Sequence, residues 1–451
     1  MSDNPMQDQW IVGGHVIDPA QGIDRPMDVQ LNGAKIVALH EPGNAPKAAC
    51  IIDASGLIVA PGLIDIHVHF REPGQEYKED LLTGSQAAAA GGFTTVVCMP
   101  NTDPAVDRRE VVSLLRRRSD EIGLCDVHVC GAISRGLQGE RLADLGEMAA
   151  AGAVAFSDDG MPVMDAGLLR RALEYASDLN RPLMLHEEDF GLTGGGCMHE
   201  GQVSTRAGLE GMPVSGESAM IARDLEILDD FGGRLHICHV STEAGLRLLR
   251  EARNRGLNVS CEVTPHHLFL TDLAVLQSEY HSHTKMNPPL RPQRHVDALR
   301  AGLADGSIQA IATDHAPHSD TEKDHDFSCS SFGVTGLETS LGLTLKLVDE
   351  GVISRRRAIE LLTSGPASVI GWDDRGSLQS GMRADLVLID PTIEWVVDPS
   401  EGRSRSVNTP FVGWKLRGRP VMTLLEGKAV YQLHTTPTNA APLVGSKPRE
   451  S

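Results

Sequence analysis

Apolar and polar positions change rhythm twice along this chain of 451 residues. Near the start, short alternating runs at 10–17, 28–31, 35–39 and 51–53 are separated by turns such as Asn32-Gly33. That pattern predicts a small antiparallel sheet rather than strand–helix units. The same texture returns at 384–389, 395–397, 421–426 and 428–431. The two strand-rich segments, 1–60 and 376–433, are expected to pair into one accessory β-sheet domain built from both termini. Between them, residues 61–375 alternate short apolar runs with helical stretches. Eight strands are predicted, at 63–69, 94–99, 127–132, 154–156, 182–186, 235–240, 259–263 and 308–313. Helices are predicted between most of them, for example at 110–118, 168–179, 219–231 and 243–253, from apolar residues at i, i+3 and i+4. Eight such alternations point to an α/β fold, a (β/α)8 TIM-like barrel. An open doubly wound sheet is the alternative, and no G-x-G-x-x-G turn supports it. Residues 434–451, rich in Thr, Pro, Ala and Ser, are expected to form a disordered tail.

Composition narrows the function classes. The chain has 41 Lys and Arg against 61 Asp and Glu, a formal charge of −20. Such a chain repels phosphate backbones and anionic lipid, so neither nucleic acid nor a membrane surface is expected as partner. An anionic small molecule would need local basic residues to offset that field. The 8 cysteines are scattered with no C-x-x-C spacing, which argues against a disulfide framework or a thiolate zinc knuckle. The first ten residues are polar and no apolar run is long enough to span a bilayer, so a cytoplasmic protein is expected.

The densest chemistry is Asp65-Ile66-His67-Val68-His69-Phe70-Arg71. Strand alternation places Asp65, His67, His69 and Arg71 on one face, toward the barrel axis. It places Ile64, Ile66, Val68 and Phe70 on the other, toward the outer helices. Histidines two apart in a strand lie about 6–7 Å apart at Cα, close enough to share a cation. Further ligand-type residues fall at predicted strand ends: His186, His239, Asp158-Asp159 and Asp314. In a barrel those ends face one site. Nitrogen and carboxylate donors without thiolates suit a catalytic zinc centre with room for water.

At these residues the chain resembles a known family. The run from Asp65 to Gly74, and Ala312-Thr313-Asp314-His315-Ala316-Pro317-His318, are similar to the two signature segments of dihydroorotases. Phe156-Ser157-Asp158-Asp159-Gly160 and Lys285-Met286-Asn287-Pro288-Pro289-Leu290-Arg291 resemble that family's bacterial class I branch. The resemblance covers nearly the whole chain and implies an amidohydrolase barrel holding one or two zinc ions. By motif, it implies that His67, His69 and Asp314 bind one ion, and His186 and His239 another. Asp159 would lie between them in place of a carboxylated lysine, with Asp158 as competing candidate. It further implies that Arg71, Asn101 and His318 grip a substrate carboxylate, and that Asn287 adds a contact. Asp314 would also be the catalytic proton carrier. Arg291 and His266 are read as loop packing and a strand-end hydrogen bond. Two departures stand out: Glu187-Glu188-Asp189 follows His186 where many relatives carry Cys, and 191–213 reads as a long flexible loop over the site.

The implied reaction is reversible hydrolysis of the ring amide of dihydroorotate to N-carbamoyl-L-aspartate in pyrimidine biosynthesis. Two rivals remain: another cyclic amidohydrolase (hydantoinase, dihydropyrimidinase or allantoinase), and a non-catalytic partner of aspartate carbamoyltransferase. A homo-oligomer and a carbamoyltransferase complex are both left open by the sequence.

Overall fold

The eight apolar runs become strands because β-branched and aliphatic side chains fit a ladder buried on both faces. In the computed structural model, which describes residues 8–47 and 49–433, they are Leu63–Val68 (β1), Phe93–Cys98 (β2), Asp126–Ala132 (β3), Ala153–Ser157 (β4), Leu183–Leu185 (β5), Leu235–Ile237 (β6), Val259–Val263 (β7) and Ala310–Ile311 (β8). The expected tail at 434–451 lies outside the described residues. The strands neighbour one another in chain order, each pair parallel. The ring closes where Val68 bridges His315, with the His69 N–H donating to the His315 carbonyl at 2.9 Å. The buried Asp65 carboxylate reinforces that seam by accepting the Thr313 N–H at 3.1 Å. The architecture is a (β/α)8 barrel.

Outward-facing Val96, Val127, Val129, Leu183, Leu185, Leu235 and Ile237 form one apolar layer with helix residues such as Leu115, Leu168, Leu173, Leu246 and Leu249. An inner cluster gathers Val97, Cys130, Met184, Cys238, Ala310 and Ala312 with Val369 and Ile370 from the helix Ser364–Ile370. One expectation is corrected here. Val68 and Phe70 join the outer layer, but Ile64 and Ile66 join the inner cluster. The ladder register shifts between Asp65 and Val68, so the strand changes phase around His67.

The expected accessory β-sheet region is present and is built of two sheets. A six-stranded sheet runs Lys428–Gln432, Lys415–Leu425, Leu386–Val396, Ile58–Pro61, His15–Asp18, Ile23–Pro26, so strands from both ends of the chain meet at Leu386–Val396 and Ile58–Pro61. A four-stranded sheet of Lys35–His40, Asp28–Asn32, Gln9–Val12 and Cys50–Asp53 is wholly N-terminal. The run at 10–17 breaks at Gly13, whose φ of +75° turns the chain from one sheet into the other. The N-terminal sheet is also mixed: Gln9–Val12 pairs parallel with Cys50–Asp53.

The segment expected as a flexible loop is folded. It carries the helices Phe190–Thr193 and Gln202–Ala207, and Met198–His199 pairs with Gly211–Met212. Buried Arg291 pins it, donating to the Met212 carbonyl at 3.0 Å and to Ser241 Oγ at 3.1 Å. Among the described residues, no helix is long and apolar enough to cross a membrane.

Gly365 tests the packing under the barrel. A methyl group there would meet the Gln309 carbonyl oxygen at 2.2 Å, a backbone atom that cannot swing aside. Gly365→Ala is therefore expected to cost about 1–3 kcal/mol by overpacking. A urea midpoint equal to that of the parent protein would contradict this.

Candidate active site

Every expected ligand leaves the ladder at the same rim. His67 is the last residue but one of β1 with His69 just beyond its end, Asp159 follows β4, His186 follows β5, His239 follows β6 and Asp314 follows β8. Three non-glycine residues at this rim have left-handed backbone: Arg71 at φ 62°, His239 at φ 34° and Asp314 at φ 49°. Such conformations cost energy and persist where surrounding contacts hold them. The turn after His239 is held by buried Glu217, which accepts the Ser241 and Thr242 N–H groups at 3.2 and 3.0 Å and both hydroxyls.

Asp159 sits at the centre. Its Oδ1 lies 3.2 Å from His67 Nε2 and 3.5 Å from His239 Nε2, and its Oδ2 lies 3.5 Å from His69 Nε2. Asp314 Oδ1 lies 2.9 Å from His69 Nε2 and 3.7 Å from His67 Nε2. On the other side, His186 Nδ1 faces His239 Nε2 at 3.1 Å. The neighbouring Asp158 is used elsewhere: it accepts the Ile133 and Ser134 N–H groups at 2.8 and 3.0 Å, and the Ser134 hydroxyl. The side chains of 158 and 159 thus diverge, one pinning a loop and one entering the cluster.

Electrostatics make this cluster a cation trap. Burial works against ionisation of Asp159, but His67, His239 and His69 outweigh it and hold its carboxyl well below the usual range. Burial likewise opposes charge on His67, and Asp159 first among its neighbours reverses that and lifts the imidazole well above its ordinary value. Asp314 is held down at about 2, against burial, by the His69 hydrogen bond and the nearby imidazoles. His67 Nε2 and Asp159 Oδ1 are both buried without a hydrogen-bond partner among the described residues. Orphaned buried polar atoms are costly, and a divalent cation with nitrogen and oxygen ligands would satisfy both. His67, His69 and Asp314 offer donor atoms within 4.8 Å of one another, as do His67, Asp159 and His239. The residues fit a metal. Cys238 lies near His67 too, but burial pushes its thiol upward, away from a thiolate ligand.

The outer nitrogens of three of the four rings are also fixed, while His239 Nδ1 has no partner among the described residues. His67 Nδ1 meets Glu262 Oε1 at 2.7 Å, His69 Nδ1 meets Asn101 Oδ1 at 2.8 Å, and His186 Nε2 meets Glu188 Oε2 at 3.0 Å. Such partners orient ligand imidazoles and set their tautomers. Sequence reasoning missed Glu262 and Glu188. The signal for Glu262 was a charge inside the apolar run 259–263, and Glu188 lay in the acidic departure after His186.

The expected substrate contacts divide. Arg71 and His318 stand together at the pocket, Arg71 Nη2 donating to His318 Nε2 at 3.2 Å and Nε to the Pro317 carbonyl at 3.1 Å. Arg71 is 7% exposed, and among the described residues no carboxylate lies within 4.0 Å of it. Burial, then Arg71, pushes His318 down to about 2, so its ring is neutral. Asn101 and Asn287 line the same pocket, but Asn101 is engaged by His69 and Asn287 Nδ2 donates to Glu188 Oε2 at 2.7 Å. His266 is buried in the short helix Pro265–Phe269, and its Nε2 has no partner among the described residues, unlike the strand-end hydrogen bond expected.

A (β/α)8 barrel with imidazoles and carboxylates converging at the C-terminal rim, beside a β-sheet region, defines an amidohydrolase, and residues 252–431 match the amidohydrolase family model. Residues 56–244 match the model described as Dihydro-orotase-like. A dihydroorotase from Citrifermentans bemidjiense is 48% identical over 422 residues, spanning 94% of this chain and 99% of the relative. One from Anaeromyxobacter dehalogenans is 49% identical over 423 residues, spanning 94% and 98%. The chain belongs to the dihydroorotase family. Among solved structures, an L-hydantoinase (dihydropyrimidinase) from Arthrobacter aurescens superposes with a TM-score of 0.84 at 27% identity, covering 95% of this chain and 96% of that one. A dihydropyrimidinase from Brevibacillus agri, with a TM-score of 0.83 at 23% identity over 94% and 95%, shares the fold.

The contrast between the two aspartates can be measured. Asp159→Asn is expected to weaken tightly held metal by more than the roughly 10–100-fold typical of an outer partner, with little change in melting temperature. Asp158→Asn should lower the melting temperature and leave metal content intact. Elemental analysis beside thermal melts checks this, and the reverse pattern would exchange the roles.

Proposed function

We propose that this dihydroorotase opens and closes the ring amide of (S)-dihydroorotate on a zinc centre of two adjoining subsites. His67, His69 and Asp314 would hold one ion, His186 and His239 the second, and Asp159 would lie between them. When bound, zinc supplies Lewis acidity, lowering the pKa of water from about 15.7 to near 7 and polarising the amide carbonyl.

The chain's own residues do the rest. Asp314, whose Oδ1 faces His69 Nε2 across the first subsite, would take the proton of the attacking water on its second oxygen and deliver it to the leaving ring nitrogen. In the direction of ring closure it would take the proton of the carbamoyl nitrogen. Proton transfer of this kind contributes roughly 10²–10⁴-fold. Arg71 would receive the substrate carboxylate, with neutral His318 beside it as a further hydrogen-bonding group.

The observation that carries this reading is Arg71, a buried guanidinium in the pocket wall that, among the described residues, has no carboxylate in direct contact, the charges of Asp314, Glu322 and Asp159 acting only from farther away. Leaving such a charge unpaired is unfavourable unless the substrate supplies the partner. Dihydroorotate carries a carboxylate at that end and an uncharged hydantoin does not. This favours dihydroorotate over the substrates named for the structural neighbours. The non-catalytic alternative loses support because every expected ligand position is filled and directed into one cluster. Self-assembly and a complex with aspartate carbamoyltransferase belong to the same reading, with the cytoplasm as compartment, and sedimentation of the protein alone and with the transferase tests the assembly.

Two substitutions separate binding from chemistry. Arg71→Gln should cost about 2–5 kcal/mol of substrate binding, a fall of about 30-fold or more in kcat/KM for dihydroorotate. Asp314→Asn should lower kcat by roughly 10²–10⁴-fold while circular dichroism stays native. Chelation should abolish turnover and added zinc restore it. An enzyme that opens uncharged hydantoins better than dihydroorotate, or one indifferent to a chelator, contradicts the proposal.

A further inference from the structure

We propose that Glu188 is the positioning residue of the second metal subsite alone, and that Glu262 plays the same part for the first, so that the affinities of the two subsites are set by separate buried carboxylates. This rests on the two-subsite reading above and goes beyond it.

The argument starts from a single proton. A neutral imidazole carries one N–H, and the other nitrogen offers its lone pair. His186 has three polar neighbours: His239 Nε2 at 3.1 Å from its Nδ1, and, at its Nε2, Glu188 Oε2 at 3.0 Å and the more distant Asn287 Nδ2 at 3.5 Å, whose own shorter bond of 2.7 Å goes to Glu188 Oε2. A carboxylate accepts and cannot donate, so Glu188 holds the proton on Nε2 and leaves the Nδ1 lone pair facing His239. That is the tautomer a ligand pair needs. Without Glu188, the ring is free to adopt the opposite tautomer or to turn.

Glu188 is itself immobilised. Its Oε2 also accepts from Asn287 Nδ2 at 2.7 Å, and its Oε1 accepts from Thr193 Oγ1 at 2.7 Å. Thr193 belongs to the helix Phe190–Thr193, which opens the folded segment beyond β5, so that segment is tied to the metal centre through one carboxylate. Asn287 is thereby a support for Glu188, besides lining the pocket.

Glu262 makes the matching arrangement on the other side. Its Oε1 lies 2.7 Å from His67 Nδ1, leaving the Nε2 lone pair toward Asp159, and its Oε2 lies 3.1 Å from His236 Nε2. The hydrogen-bond partners of Glu188 and Glu262 do not overlap. The two effects are therefore separable.

The test is a competitive zinc titration against a chromophoric chelator, on full-length protein stripped by dialysis, with cobalt spectra as a second readout. Parent protein should show two binding events. Glu188→Ala should weaken one of them by about 10–100-fold and leave the other unchanged. Glu188→Gln should fall in between, since the amide oxygen still accepts but carries no charge. Glu262→Ala should weaken the opposite event. Thr193→Val, which removes one donor to Glu188 and keeps the side-chain shape, should weaken the Glu188-dependent event by less. A variant with both events at parent strength, or with both weakened equally, overturns the assignment. Thr193→Val at parent strength counts against it as well. A parent protein that binds one ion, lost in Glu262→Ala and kept in Glu188→Ala, instead overturns the two-subsite reading.

Discussion

Two carboxylates and four imidazoles share a small volume at the mouth of this barrel, shielded from water. Burying ionised groups costs several kcal/mol each unless opposite charge lies among them. Without a metal, part of that charge is a proton, which is why His67 is driven up and Asp159 down. The rest of the site follows from this constraint. Left-handed backbone at His239 and Asp314 turns each side chain toward the centre, and groups such as Glu217 hold the strained turns in place. Glu262, Asn101 and Glu188 occupy the outer nitrogens of His67, His69 and His186, so their inner ones are left to face the centre.

Much of the barrel was legible in the sequence. Parallel strands buried on both faces are continuous apolar runs, and all eight were found near their true positions. Several C-terminal ends were placed too far along, as at His69, His186 and His239, polar residues that have already left the ladder. Alternation failed at Ile64 and Ile66, where the register shifts. The two accessory sheets were not legible as two, since local alternation says nothing about which partner strand lies alongside. The candidate ligand residues could be nominated because strand ends of a barrel converge. Their outer partners could not. Glu262 is 195 residues from the histidine it orients, and only the fold brings them together.

Fold and function part company at the substrate end. The barrel superposes closely on hydantoinases, and a shared barrel does not by itself fix a substrate. What distinguishes this site is the handling of charge. A chain of formal charge −20 repels an anion at long range, yet the pocket wall holds a buried guanidinium that, among the described residues, has no carboxylate within 4.0 Å and only the more distant charges of Asp314, Glu322 and Asp159. Local attraction set against a repelling field suits a small carboxylate and disfavours larger polyanions.

Diffraction from crystals of the zinc-loaded protein, recorded on both sides of the zinc absorption edge, reaches the central claim most directly. The account predicts anomalous density inside the rim, one peak among His67, His69 and Asp314 and another beside His186 and His239, with Asp159 between. A rim without anomalous density, or zinc bound only elsewhere on the surface, would contradict it.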